Sequence, residues 1–201
     1  MRHQKAVQPA RVYQLKVSLR HSEPLIWRRV LVPEEFNLGQ LHRVLQCVMN
    51  WKDYHLHQFT IGGKRYGVPD PEWTFPGREI LSERSVQLHE VLHRVGQKFL
   101  YTYDFGDGWE HDLRAEAILP ADPQASYPLC VAGERCGPPE DCGGIWGYEN
   151  LLEALRNPDH PEHDDMLEWI GGRFDPESFS LEDINAELKS KFRQKTKRKA
   201  S

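Results

Sequence analysis

The amino-acid sequence predicts an α+β fold. The core is a β-grasp-like strand–strand–helix–strand–strand unit, extended by a further β-hairpin and followed by a helical C-terminal part. Three observations carry this expectation. Residues 12–20 and 55–61 alternate apolar and polar side chains, the period of a half-buried strand. Between them Leu38, Leu41, Leu45, Val48 and Met49 recur at helical spacing. After Leu119 the strand period disappears, and helical patterns return only from Tyr148.

Taken in order, Tyr13, Leu15, Val17 and Leu19 alternate with Gln14, Lys16, Ser18 and Arg20. Ser22-Glu-Pro24 ends that strand, and Leu25–Val32 returns as its partner, with Arg28 and Arg29 on opposite faces. Asn37 is an N-cap residue for a helix running to about Asn50, and Cys47 lies off its apolar stripe. His55, His57, Phe59 and Ile61 then share a strand face, which puts two imidazoles on one side as some metal sites require. Gly62-Gly63 turns the chain into Lys64–Val68. Residues 69–85 form a Pro/Gly-rich insertion, and Ser85–His93 has the pattern of a short helix.

Lys98–Phe105 and Trp109–Leu119 are the arms of the additional hairpin, with Asp107-Gly108 at its turn. Pairing Phe105 with Gly108 sets Asp104 opposite Trp109 and Thr102 opposite His111, so that a carboxylate and an imidazole share a mostly apolar face. Residues 120–147 carry no apolar period and read as a Gly/Pro/Cys loop. It holds Cys130, Cys136 and Cys142, and the acidic pair Glu140-Asp141 behind Pro138-Pro139. Residues 148–193 read as the helical part, and Ser180 is the N-cap of its last helix. Residues 11–190 are thus read as one domain, with 1–10 and 194–201 as disordered ends.

Hydrophobic content of 39% and charged content of 28% fit a soluble globular chain. No apolar run approaches a membrane span, and no apolar segment follows the basic opening residues as a signal peptide would require. A cytoplasmic protein with reduced thiols is the expectation. Charge is uneven: residues 140–187 hold fourteen acidic side chains against Arg156 and Arg173, whereas 189–199 hold seven basic residues and no acid. The tail residues Lys195, Lys197, Arg198 and Lys199 are candidates for nucleic-acid contact.

Two constellations offer chemistry. Asp104, Asp107, His111, Glu140 and Asp141 form a candidate polar site if the hairpin turn lies against the proline-stiffened loop. Cys130, Cys136 and Cys142 with His111 form a candidate metal set, zinc being the ion such donors favour. No phosphate-binding glycine motif, nucleophile elbow or His-Glu-x-x-His is present.

Trp27-Arg-Arg29, Leu41-His42, His55-Leu-His-Gln-Phe59, Tyr103-Asp-Phe-Gly-Asp-Gly-Trp-Glu-His111, Cys136-Gly-Pro-Pro-Glu-Asp-Cys-Gly-Gly144, Gly147-Tyr148, His160-Pro-Glu-His163 and Phe174-Asp-Pro-Glu177 together resemble the plasmid pRiA4b Orf-3-like family, also labelled the TnpR passenger family of insertion elements. The resemblance covers roughly residues 11–190. It implies an intracellular bacterial or archaeal protein encoded near mobile DNA, and it supplies no catalytic residues. The label hints at a resolvase, but a serine recombinase needs a nucleophilic serine in a basic, DNA-gripping setting, and here the motif-rich part is acidic.

The expected function is a binding or accessory module whose polar, metal-holding site recognises a protein or a small-molecule ligand. A metal-dependent hydrolase or nuclease, and a DNA-binding accessory protein using the basic tail, are the alternatives.

Overall fold

The computed structural model describes residues 10–70 and 79–193. The expected disorder of 1–9 and 194–201 and the nucleic-acid contacts at Lys195, Lys197, Arg198 and Lys199 concern residues outside this range, whereas Ala10, also expected to be disordered, accepts a hydrogen bond from Ala121 N (2.8 Å). Part of the Pro/Gly-rich insertion, residues 71–78, also lies outside it.

Eight strands form one sheet: β1 (Arg11–Leu19), β2 (Trp27–Pro33), β3 (His57–Ile61), β4 (Lys64–Gly67), β5 (Ile80–Ser82), β6 (Lys98–Tyr103), β7 (Trp109–Pro120) and β8 (Leu129–Glu134). Their spatial order is β5-β4-β3-β6-β7-β1-β2-β8. The helices are α1 (Leu38–Met49), α2 (Leu88–Val91), α3 (Gly144–Arg156), α4 (His163–Trp169) and α5 (Leu181–Lys191). The α+β class therefore holds. Both hairpins of the β-grasp-like unit form, with α1 between them in sequence, but β6 and β7 lie between β3 and β1 in the sheet. The β-grasp pairing itself is not confirmed.

The loop expected over 120–147 contains a strand. β8 pairs antiparallel with β2 at the sheet edge, and Cys130 is its one buried residue. An edge strand that buries a single side chain leaves no apolar/polar alternation to read.

One sheet face buries Leu15, Val17, Leu19, Val30, Val32, Phe59, Tyr101 and Leu113 among the core residues that α1 shares through Leu41, Leu45 and Val48. The other face carries ion pairs: Arg29 on β2 reaches across β1 to Glu116 on β7, and Arg20, just past the end of β1, pairs with Asp112 on β7. α1 starts on a capping box, Asn37 with Gln40, and stops at Asn50 in the left-handed region (φ 62°). Arg28 faces inward: its guanidinium donates to the carbonyls of Val48, Trp27 and Glu134, so it ties the end of α1 to β2 and β8. Ser180 caps α5 by accepting from Asp183 N.

Candidate functional site

The site grows from the segment that leaves α1. Trp51 Nε1 donates to Pro138 O (2.8 Å), Lys52 N to Glu140 Oε2 (2.8 Å), Asp53 N to Gln46 Oε1 (2.9 Å) and Tyr54 N to Tyr103 Oη (3.0 Å). Four successive residues are thus fastened to the proline loop, to α1 and to β6. His55 follows them, so its backbone enters the site already fixed.

The β6–β7 turn supplies the second wall. Tyr103 pairs with Trp109 and Tyr101 with His111, so the turn is Asp104–Gly108 and Asp104 is not opposite Trp109. The expected register is corrected by one residue on β6: Phe99, Tyr101 and Tyr103 share the core face with Trp109, His111 and Leu113, while Thr102 pairs with Glu110. Burying three aromatic side chains outweighs burying Leu100, Thr102 and Asp104, and a one-residue slip exchanges those sets. Asp104 adopts φ 54° and its Oδ1 accepts from Gly106 N (2.9 Å) and Asp107 N (3.4 Å). That leaves Oδ2 directed to His55 Nε2, 3.6 Å away.

The third wall is the loop before α3. Asp107 Oδ2 accepts from Gly143 N (3.2 Å). A Cβ on Gly144 would sit 2.3 Å from Asp107 O, and Gly144 has φ +68°, so only glycine permits the contact. The turn and the loop therefore lie against each other, and Asp104, Asp107, Glu140 and Asp141 gather in one region. Asp141, at φ 62°, brings Oδ1 to 2.9 Å from His55 Nε2. Glu140 is spent on structure: Oε1 accepts from Tyr103 Oη (2.5 Å) and Oε2 from Lys52 N.

His55 Nε2 is buried and completes no hydrogen bond, although Asp141 Oδ1 is at hydrogen-bonding distance. The nitrogen is close to that oxygen but not aimed at it. Ligand atoms of His55, Asp104 and Asp141 all lie within 4.8 Å of one another. Two donors at metal-ligand distances of about 2.1 Å, subtending 90–110° at the ion, stand roughly 3–3.5 Å apart. The 2.9 and 3.6 Å separations fit donors aimed at a shared cation.

A second group, His42, Asp53 and His57, is different. The His42 and His57 rings stack at 3.4 Å with 2° between planes. Gln46 Nε2 donates to Tyr101 Oη, which donates to His42 Nδ1 (2.8 Å), leaving His42 Nε2–H to donate to Asp53 Oδ1 (2.8 Å). His57 Nε2 pairs with Glu83 Oε2 at 2.6 Å. Burial, and then the neighbouring His57, push His42 down to about 4. Every one of these contacts is a well-aligned hydrogen bond, and parallel rings present parallel lone pairs that do not converge on one ion. We read this group as a satisfied network rather than a metal centre. His55 and His57 thus diverge to different carboxylates, because His55 precedes β3 instead of lying on it.

The remaining candidates do not join the site. His111 is fully buried beneath Trp51 and Tyr101, and neither ring nitrogen completes a hydrogen bond. Cys130, Cys136 and Cys142 are free thiols, and among the described residues they form no ligand group with one another or with His111. The thiols expected to hold zinc stand in different surroundings: Cys130 is on β8, Cys136 lies near Arg28 and Ser178, and Cys142 near Asp107. Burial raises all three thiols, Cys142 to about 12.

Among the described residues no helix is long and apolar enough to cross a membrane. The model of the plasmid pRiA4b ORF-3-like protein family matches residues 11–183. An uncharacterized protein, y4hQ, from Sinorhizobium fredii (strain NBRC 101917 / NGR234) is 40% identical over 195 residues, 94% of this chain and 98% of that one. The crystal structure of a protein of unknown function, MM3350, from Methanosarcina mazei Go1 matches with a TM-score of 0.78 at 40% identity, covering 88% of this chain and 98% of that chain.

Proposed function

This chain belongs to the plasmid pRiA4b ORF-3-like family, and from that starting point we propose that it is a binding module that holds a divalent cation between His55, Asp104 and Asp141. The observation that carries the reading is the unsatisfied, buried His55 Nε2 facing two carboxylates. A nitrogen and two carboxylates suit zinc or a first-row divalent ion, and three protein ligands leave coordination positions for a partner's donor group.

Backbone strain supports it. Asp104 and Asp141 both occupy the left-handed region, an uncommon state for a residue with a side chain. Exposed apolar side chains surround the three donors in sequence: Tyr54 and Leu56 flank His55, Phe105 follows Asp104, and Trp146 opens α3 at 83% exposure. Such a rim suits docking. Glu140, an acid of the candidate polar site, has both oxygens engaged and so is not free to serve as a general base, which favours binding over hydrolysis.

Calorimetric titration with Mn²⁺ and with Zn²⁺ tests the proposal. His55→Ala, Asp104→Asn and Asp141→Asn are each expected to weaken binding at least about tenfold while circular dichroism stays unchanged. Asparagine retains the turn geometry and removes only the charge. Equal affinity in all three variants and the wild type would rule the site out.

A further inference from the structure

Asp141 also borders a second feature. A cleft of about 310 Å³ between α3 and α4 has Asp141 in its lining. Leu151, Met166 and Trp169 supply its apolar walls, and its charged lining residues are Asp141 and Asp165, with no basic side chain. Asp165 is exposed and makes no ion pair or hydrogen bond among the described residues. Trp169 leaves 49% of its surface in solvent, although a tryptophan on a short helix gains most from being covered.

We propose that this cleft is a recognition pocket for an arginine or lysine side chain presented by a basic segment of a partner polypeptide. The volume lies at the lower end of the ligand-pocket range, which suits one long side chain. Its aliphatic stem packs on Leu151 and Met166, its cationic head pairs with Asp165, and the Trp169 ring offers a cation–π face. Charge complementarity selects the partner: residues 140–187 carry fourteen acids against two arginines, which attracts a basic chain and repels a phosphate backbone. The inference stands on Asp165 and Trp169, so it does not require the cation at His55.

The test uses the full chain without added metal and acetylated, amidated tetra-arginine as the probe, with tetra-glutamate as control. Calorimetry is expected to detect tetra-arginine only, with binding weaker at about 0.5 M than at about 0.05 M salt. Asp165→Asn and Trp169→Ala are each expected to weaken it about fivefold. Asp164→Asn, which removes an adjacent exposed charge outside the cleft, leaves it unchanged. An equal loss from Asp164→Asn would mean diffuse attraction and overturn the pocket. So would a tenfold gain on neutralising the chain's own tail through Lys195→Gln, Lys197→Gln and Lys199→Gln, since the occupant would then be that tail. Because Asp104→Asn touches only the cation site, unchanged peptide binding in that variant separates the two proposals.

Discussion

Tyr103 Oη donates to Glu140 Oε1 across 2.5 Å, and the same phenol oxygen accepts from Tyr54 N at 3.0 Å. One side chain from β6 therefore holds both the proline loop and the segment that delivers His55. Burial first, and Glu140 second, raise the Tyr103 phenol well above its usual range, so it remains a donor.

Tyr103→Phe removes both bonds and leaves Tyr54 N and Glu140 short of partners. We expect a loss of about 2 kcal/mol in urea unfolding, the scale of a hydrogen bond to a charged group. Cation affinity is expected to fall about tenfold, as for groups that orient ligands without touching the metal. A variant that lost stability but kept full affinity would show that Tyr103 braces the fold alone.

Gly144→Ala tests the junction between turn and loop. An alanine there pays about 1–2 kcal/mol for its left-handed backbone, in addition to the overlap with Asp107 O. Gly62→Ala is the matched control, since Gly62 has φ +56° with nothing within 4 Å of the added carbon. Gly144→Ala is expected to be the more destabilising by urea unfolding and to weaken cation binding. Equal losses in the two variants would mean that the close approach to Asp107 contributes nothing.

The elements that hold this site were legible in the sequence where a strong period or a cap fixed them. Asn37 and Ser180 mark helix starts that form, and the alternation at Tyr13–Leu19 marks β1. Pairing was harder to read. The β6 register depends on which tyrosines the core accepts, and Asp107-Gly108 alone favoured a shorter turn. β8 was invisible because an edge strand with one buried residue has no pattern. Four carboxylates of the site could be read from the turn and the proline-stiffened loop. The imidazole was legible only with the wrong partners: sequence spacing groups His55 with His57 on one strand face and His111 with the carboxylates, yet the pleat sends His111 into the core and His55 arrives from a bend before β3. The left-handed aspartates are a signal only once backbone angles are known.

Replacing Cys130, Cys136 and Cys142 together by alanine is expected to leave bound cation unchanged by elemental analysis, because the thiols do not meet. Cys142, pushed up to about 12 by burial and then by Asp107, is expected to react slowly with a disulfide reagent at neutral pH. Loss of the cation from the triple variant, in protein that still folds, would return the thiols to the site.

His111 makes a pH-dependent contribution whose sign is fixed by burial. Its ring is completely enclosed, and desolvation holds it down to about 4 against an ordinary value of 6.5; the backbone of Trp109 and Tyr101 only partly opposes this. Between those values the unfolded chain binds a proton that the folded chain does not, so stability rises with pH there and is lost as pH falls from about 6.5 to about 4. The full difference corresponds to about 3 kcal/mol. His42 is shifted in the same direction, so the wild type loses stability to two imidazoles over that window. His111→Leu removes one of them. At pH 7 the change is expected to be small, because the ring nitrogens make no well-aligned hydrogen bond that leucine would forfeit. Below about pH 6 the variant is expected to become the more stable protein, by a margin that grows until about pH 4. Urea unfolding at a series of pH values reads this directly. Parallel curves for the two proteins would show that His111 carries a proton inside the fold, and that a polar partner or an opening reaches it.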